Sequence, residues 1–502
     1  MRYWLVLGAL LAWAARQRMN ADGMSYLDMA RQGEFINGYW SPLYAALLAI
    51  PAAFAREPEW EFPLAHAVNF ALFAGCLFAA RRLIRLAPSA PWLAPFAYGV
   101  AGWAILQFVT IAEVTPDMLV SLFVLLAGAA VLRLRAPDAE ARHGAMLGAI
   151  LGLGYWAKTA MFPASVLLLV VLFVFPPTPM RRRRGIAIAA LAFLAVSAPL
   201  VALVSRHVGR LTIGESGRLN YAWYVNGMQA QSGWLRADEH GVPANPPRVL
   251  HESPLVFEYG EGQGTYPLWY DPARWYRGTA SPFDPKRLAA AVASNARFAA
   301  KMFFLDMGGL VAAAMALFWF GRGARAPYPR DLLWMVLWPA AVLAMYSCVH
   351  LEYRFLGGFL ALFWMGLFAL LAGRTEAKLE AGLVLAAGLS FTLPFALRSV
   401  EEVSLGLAPD RSHLEIARML RTDRIATVGR PFRAFHAHLA GARVVAEIPD
   451  AEAFWAAPDR EAILRKLHAA GARVLVVDPP PRGSDVVGWE PVDGAYLLRL
   501  GP

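Results

Sequence analysis

The residues of this chain that can do chemistry are few and stand apart from long apolar runs. Asp22 and Asp117 are isolated carboxylates at the edges of such runs, and Lys158 is an isolated cation in Tyr155-Trp-Ala-Lys-Thr159. The densest short polar cluster is His350-Leu-Glu-Tyr-Arg354. A carboxylate so placed can take a proton from an attacking group, and a nearby cation can neutralise an oxyanion that binds or departs. Arg354 offers a planar fork suited to phosphate oxygens, and Lys158 a compact point charge. Spacing alone leaves plainer roles open. Asp22 or Ser25 can cap a helix, and Asp117, after Pro116, can sit at the positive end of one. Lys158 can snorkel to an interface, and Glu352 can pair with Arg354 if their turn is not helical.

These charges are legible because charge is scarce. Of 502 residues, 58% are hydrophobic and 17% charged, with a mean hydropathy of +0.42, whereas soluble proteins carry roughly 25% charged residues. The clustering of the apolar residues excludes an ordinary cytosolic enzyme and a disordered chain. The composition is that of a polytopic α-helical membrane protein. Runs near 3–15, 62–80, 91–109, 117–132, 144–160, 162–177, 185–205, 299–320, 331–350, 355–373 and 379–397 predict about eleven spans.

With the N-terminus inside, every short inner loop is basic: Arg81, Arg82 and Arg85; Arg133, Arg135 and Arg142; Arg181 to Arg184; Arg322, Arg325 and Arg330; Arg374 and Lys378. The outer turn Ile111–Pro116 has no basic residue, and the turns at Lys158 and Arg354 have one each. The net charge of +10 therefore orients the chain in a membrane and needs no nucleic-acid partner. Cys76 and Cys348 lie in apolar runs and form neither a disulfide framework nor a metal motif. The first run is short for a span, and Ala12-Trp-Ala14 mimics a signal-peptidase site, so both retention and cleavage stay open. Residues 16–61, 206–298 and those beyond 400 then fall outside.

The first outer loop holds Asp22-Gly-Met-Ser-Tyr-Leu-Asp-Met-Ala30 and Asn37-Gly-Tyr-Trp-Ser-Pro-Leu-Tyr44. Tyr26, Met29 and Ala30 share a helix face, Gly33 and Gly38 are stop signals, and Pro42 opens an apolar stretch suited to an interfacial helix. These strings resemble the first outer loop of the GT-C glycosyltransferases, nearest the protein O-mannosyltransferase and aminoarabinose-transferase branch. Thr115-Pro-Asp117 is similar to that family's next acidic position, and Glu352-Tyr-Arg354 to its Glu-Arg-Tyr-type element in a different order.

The resemblance covers residues 1–400 and implies a GT-C membrane domain there. It also implies a polyprenyl-phosphate sugar donor entering from the bilayer, and transfer with inversion to a lipid, glycan or protein acceptor on the outer side. It makes Asp22 and Asp117 catalytic, Asp22 touching the acceptor and acting as the base where that is a hydroxyl, and the two cations Lys158 and Arg354 are the expected ligands of the donor phosphate. Tyr26, Asn37, Trp40, Tyr44, His350 and Glu352 become substrate contacts. No cofactor is called for, though a divalent metal at Asp22 stays open. The chain departs from the mannosyltransferases at Gly23, where those enzymes often carry a second acid. The expected location is the plasma (inner) membrane.

The long outer loop 206–298 is rich in aromatic residues, among them Trp223, Tyr224, Trp234, Trp269 and Tyr276. They suit membrane anchoring or stacking on sugar rings. Tyr266 and Asp271 in Thr265-Tyr-Pro-Leu-Trp-Tyr-Asp-Pro272 are the acceptor-side candidates. Residues 401–502 read as a small extracytoplasmic α/β domain, with strands at Ile425–Val428, Val444–Ile448, Val474–Val477 and Tyr496–Leu500 and helices at 412–421 and 458–470. Gly429-Arg-Pro-Phe-Arg433 after the first strand is no Gly-x-Gly-x-x-Gly, so a nucleotide-sugar donor is not expected there. The competing class is a transporter or lipid flippase. It favours two similar halves and mid-depth charges, whereas this chain has no visible repeat and carries its charges at span ends.

Overall fold

A computed structural model describes residues 1–54, 57–87, 92–175, 181–228, 240–260, 262–321, 329–429, 431–477, 486–492 and 495–501. Arg322, Arg325 and Trp234 lie outside them. Every apolar run is helical: α1 (Arg2–Ala15), then, after two short helices, α4 (Glu61–Leu86), α5 (Leu93–Ala104, extended by a π turn over Ile105–Val109), α6 (Asp117–Arg135), α7 (Ala141–Ala157), α8 (Met161–Val174) and α9 (Arg181–Val208). The short pair is α2 (Ala21–Gln32), stopped by Gly33 in the left-handed region, and α3 (Pro42–Ala52), opened by Pro42. The long loop carries α10 (Ser216–Tyr224), α11 (Pro267–Tyr270) and α12 (Pro272–Trp275). The remaining apolar helices are α13 (Pro285–Lys301), which passes through a π turn at Met302–Asp306 into α14 (Gly308–Gly321), then α15 (Trp334–Ser347), α16 (Tyr353–Leu371) and α17 (Ala377–Gly406).

Among the described residues, six helical stretches are long and apolar enough to cross a bilayer, beginning at Pro58, Asp117, Arg183, Pro285, Tyr353 and Ala377. The chain is a multi-pass membrane protein. The expected count of eleven spans is not fixed, because α1, α5, α8, α14 and α15 are apolar but shorter. α1 is nonetheless part of the bundle: Trp4, Gly8, Ala12, Ala14 and Ala15 are buried, and the Arg16 guanidinium donates to the Gly406 carbonyl at the end of α17.

The tightest helix contact is α7 on α9. Gly144, Gly148 and Gly152 lie on one face of α7, and a Cβ at Gly148 would stand 2.2 Å from the Ala189 carbonyl oxygen. Small residues every fourth position let two backbones meet where bilayer tails supply no hydrophobic drive. The predicted inner loops meet at one end of the bundle, where Arg135 donates to the Asp331 and Phe175 carbonyls. The predicted outer turns meet at the other end.

Beyond α17 come α18 (Ser412–Leu420), β3 (Arg424–Val428), α19 (Phe435–Leu439), β4 (Arg443–Ile448), α20 (Ala451–Ala456), α21 (Arg460–Ala469), β5 (Val474–Val477), β6 (Glu490–Val492) and β7 (Ala495–Arg499). The long loop adds β1 (Arg248–Glu252) and β2 (Leu255–Glu258), giving one sheet in the order β1-β2-β4-β3-β5-β7-β6. The central β4, β3 and β5 are parallel and the flanking pairs antiparallel. Central parallel strands are buried on both faces: Phe454, Ile463 and Leu467 of α20 and α21 cover one, while Leu414, Leu420 and Leu439 of α18 and α19 lie in the core shared with the membrane helices. The boundary expected at residue 400 therefore does not isolate this sheet, since β2 pairs with β4.

Gly148→Leu would push α7 and α9 apart and cost about 1–3 kcal/mol or more by overpacking. Gly388→Leu on α17, where a Cβ meets nothing within 4 Å, would be tolerated. The yield of monodisperse protein and its thermal midpoint compare the two.

Candidate active site

The site is built where α2, α6, the α7–α8 turn and α16 begin or end. Asn20, not Asp22 or Ser25, occupies the N-cap of α2. The Asn20 Oδ1 accepts from the Val114 amide, tying the helix start to the turn before α6. Asp22 lies in the first turn, aimed outward. Its Oδ1 accepts from Trp269 Nε1 (3.2 Å) and its Oδ2 from Arg354 Nη1 (2.8 Å). A Cβ at Gly23 would sit 2.8 Å from Val114 Cβ, so this backbone approach has no room for a second acid.

Glu352 is the extended N-cap of α16, the non-helical turn that lets it reach Arg354 from two residues away. Arg354 Nε donates to Glu352 Oε2 (2.6 Å), and Glu113 Oε2 lies 3.7 Å from Nη1. His350 Nε2 meets the other Glu352 oxygen (3.0 Å) and its ring stacks on Tyr224 at 3.7 Å. Burial pushes the Glu352 pKa up, but the His350 hydrogen bond and the Arg354 charge outweigh it and bring it to about 2. Glu113 is raised by burial, which its longer contact with Arg354 does not offset.

Lys158 is the extended C-cap of α7, and its Nζ lies 2.5 Å from Asp117 Oδ1. The second Asp117 oxygen is buried without a hydrogen-bond partner. The Lys158 ammonium sits 4.1 Å from the centre of the Phe355 ring and the Arg354 guanidinium 5.4 Å from the same ring. The two cations thus share one aromatic platform.

Both face a cavity of 500 Å³ lined by Asp22, Asp117, His350 and Glu352 and walled by Tyr26, Tyr39, Trp40, Trp223, Tyr224 and Trp269. A larger cavity of 1170 Å³ lies among α1, α5, α13, α16 and α17, with Leu11, Phe108, Phe298 and Phe395 in its wall. The two cavities share Asp22, His350, Glu352 and Arg354. The ion cluster is the partition between them.

Four expected substrate contacts stand elsewhere. Asn37 folds its own loop, donating to the Tyr270 carbonyl and accepting from the Tyr39 and Trp40 amides. Tyr44 is fully buried and donates to Asn69. Tyr266 is buried beside Tyr259, on the sheet side of the loop. Asp271 pairs with His207 (3.1 Å) in a separate basin. In each case a polar or aromatic group in a packed loop serves the fold. The divalent metal left open at Asp22 finds both carboxylate oxygens taken by Trp269 and Arg354. Among the described residues no group of three His, Cys, Asp or Glu side chains is arranged to hold a metal.

The groups that sequence reasoning did not place include Glu113, Tyr39 and an ionic quartet behind the site, buried except for its arginine, Arg31. Asp28, on α2, accepts from the Thr265 amide and hydroxyl (2.7 Å each) and meets His438 Nδ1 (2.7 Å). His438 Nε2 meets Glu61 Oε1 (2.8 Å), and Arg31 donates to Glu61 and to the His438 carbonyl. Two carboxylates facing one arginine are balanced if His438 is protonated. Burial pushes the His438 pKa down, but Glu61 and Asp28 outweigh it and hold it above its ordinary value.

No family model matches the chain, and no curated protein matches it by sequence. Solved structures do match in three dimensions. ArnT from Cupriavidus metallidurans bound to undecaprenyl phosphate superposes with a TM-score of 0.56 at 14% identity, covering 100% of this chain and 98% of that one. This is the GT-C fold. The Archaeoglobus fulgidus oligosaccharyltransferase tethered to an acceptor peptide containing the NVT sequon gives a TM-score of 0.51 at 11% identity, covering 95% of this chain and 68% of that one. Both neighbours are GT-C membrane glycosyltransferases, as the resemblance of the Asp22 loop led one to expect.

Because the His438 pKa is raised on folding, its stabilising contribution is complete below about pH 6.5 and is lost as pH rises through the folded value. Proteolysis of the 407–411 connection should therefore accelerate with rising pH in the wild type. His438→Gln, which strands two buried carboxylates, should be about 3–5 kcal/mol less stable, with a flatter pH profile. Identical profiles for the two proteins would exclude a charged His438.

Proposed function

We propose that the chain is an integral membrane glycosyltransferase, moving a sugar from a polyprenyl-phosphate donor to an acceptor on the outer side of the membrane. The observation that carries this reading is the Asp22–Arg354–Glu352 cluster. It stands between a cavity among the apolar helices and an aromatic cavity that also holds Lys158 and Asp117. The fold neighbour bound to undecaprenyl phosphate, and the one tethered to an acceptor peptide, support a lipid-linked donor and a separate acceptor. The basic loops support an N-terminus in the cytoplasm of the plasma (inner) membrane and a C-terminal domain outside.

In this reading the isoprenoid lies along the cavity among the helices, and its phosphate meets Arg354 and Lys158. A phosphate that takes one edge of the Arg354 guanidinium competes with Asp22 for it. A carboxylate released from a guanidinium is the stronger base, so donor binding readies Asp22 to take the acceptor's proton. Attack by the acceptor at C1 and departure of the phosphate occur in one in-line displacement, which inverts the anomeric carbon. The C1–phosphate bond breaks as the C1–acceptor bond forms. The released polyprenyl phosphate keeps its charge against the two cations. Asp117 acts through Lys158, whose ammonium it fixes over Phe355. Trp40, Trp223 and Trp269 wall the sugar away from water.

Purified full-length protein given a labelled polyprenyl-phosphate sugar and a membrane-extract acceptor tests this. Asp22→Asn should lower turnover about 10²–10⁴-fold, the usual contribution of a positioned base. Arg354→Lys should lose about tenfold or more, since a charged hydrogen bond contributes about 1.5–3 kcal/mol. Undiminished transfer by a folded Asp22→Asn protein would refute the assignment.

A further inference from the structure

A third cavity, of 720 Å³, lies between the end of α9, the start of α10 and the α12 turn. It touches the aromatic cavity at one side chain, Arg218, which lines both. Its charge is unbalanced. Glu215 is the carboxylate partner of two guanidinium groups, accepting from Arg210 Nη2 and Arg218 Nε at 2.6 Å each. Asp271 is matched by His207. Arg274 and Arg277 are exposed on the rim, and among the described residues neither has a carboxylate partner. Four guanidinium groups thus share one carboxylate, Glu215, in a concave basin, which focuses a positive field.

The backbone makes room for this arrangement. Gly209 has a φ of +83°, and a Cβ there would lie 3.3 Å from Arg277 Nη2, so a larger residue would crowd the guanidinium. Arg218 is held rigidly by Glu215 and by the Thr279 carbonyl at 3.2 Å, which fixes the passage between the two cavities.

We infer that this basin binds an anionic group carried by the acceptor, a phosphate or a carboxylate, with Arg274 and Arg277 as its ligands and Arg218 at the passage to the reaction cavity. Guanidinium forks match both oxyanions. Asp271, expected on the acceptor side, lines this basin rather than the Asp22 cavity. That the anion belongs to the acceptor rests on the glycosyltransferase reading; that the basin binds an anion does not.

Full-length protein in phosphatidylcholine nanodiscs, titrated with inorganic phosphate and separately with acetate by calorimetry, tests the inference. Wild-type protein should bind at least one of the two anions, and the Arg274→Gln/Arg277→Gln double variant at least tenfold more weakly. Arg248→Gln, an exposed arginine on β1 paired with Glu258, serves as the control and should bind as wild type does. Equal binding by wild type and double variant, or no binding by wild type, would overturn the inference. A thermal midpoint for the double variant close to that of wild type ensures that weakened binding is not unfolding. Phosphatidic acid in the nanodisc that competes with soluble phosphate would identify a lipid headgroup as the source of the anion. Undisturbed phosphate binding would identify a soluble or glycan-borne group. Release of sugar from the labelled donor by the wild-type protein is followed separately. Its absence would count against the glycosyltransferase reading and leave the anion site standing.

Discussion

A guanidinium at the end of an apolar helix has to be satisfied, and in this protein Arg354 sets the geometry of everything around it. Its partners come from three separate places: Asp22 from α2, Glu113 from the turn before α6, and Glu352 from the cap of its own helix. None of these segments is near another in sequence. Leaving a half-buried charge unpaired is costly, so a shift of these helices would break contacts that hold them in register. The same requirement keeps the carboxylates together, since without Arg354 three negative groups would crowd one wall. Lys158 and Asp117 repeat the pattern beside Phe355, where the second Asp117 oxygen has no hydrogen-bond partner among the described residues.

α2 carries Asp22, and it is pinned at both ends. Asn20 accepts from the Val114 amide before its first turn, and Asp28 enters the His438 quartet further along. The second anchor explains why the C-terminal domain is more than an appendage. His438 comes from α19, and Thr265, which also binds Asp28, leads into the helix whose Trp269 touches Asp22. The long loop in turn supplies β1 and β2 to the sheet, and the Thr265 carbonyl accepts from the Val444 amide. Domain, loop and site helix are therefore tied to one another. A carboxylate in the proposed role of base needs such support from behind, because a small misplacement costs a large part of its effect.

What could be seen in the amino-acid sequence follows the same division between local and distant physics. The apolar helices were legible because bilayer thickness dictates the length of a run, and Asp22, Asp117, Lys158 and Arg354 because a charge beside such a run is rare. All four meet at one cavity. The parallel strands showed as short β-rich runs between helical patterns, and Gly471 closes the last helix with a φ of +89°. Asn37, Tyr44 and Tyr266 were misplaced because their chemistry is ambiguous: the groups that can bind a sugar can equally bind a backbone carbonyl, Asn69 or Tyr259. β1 and β2 lie in a stretch without period, and their pairing depends on β4, almost two hundred residues on. His438 and Asp28 are 410 residues apart. No local pattern announces a salt link of that span, and only the folded chain brings the two side chains together.

The arrangement of three cavities in series gives the proposed reaction an order. The largest lies among helices and is walled by apolar and polar side chains together, the middle one is aromatic, and the third is basic. The contacts between them are charged: the Arg354 cluster at the first boundary and Arg218 at the second. A donor whose tail is apolar and whose head is a phosphate suits the first two cavities and the cations at their boundary. A water-borne group with an anion of its own suits the third. Each reactant would then be oriented by a different cation, and the two would meet only in the aromatic space. Because Arg354 is paired with Asp22, the proposed base and the proposed phosphate ligand are tied to each other. A donor phosphate that takes the Arg354 fork would, in the proposed reaction, free Asp22 at the step that needs a base.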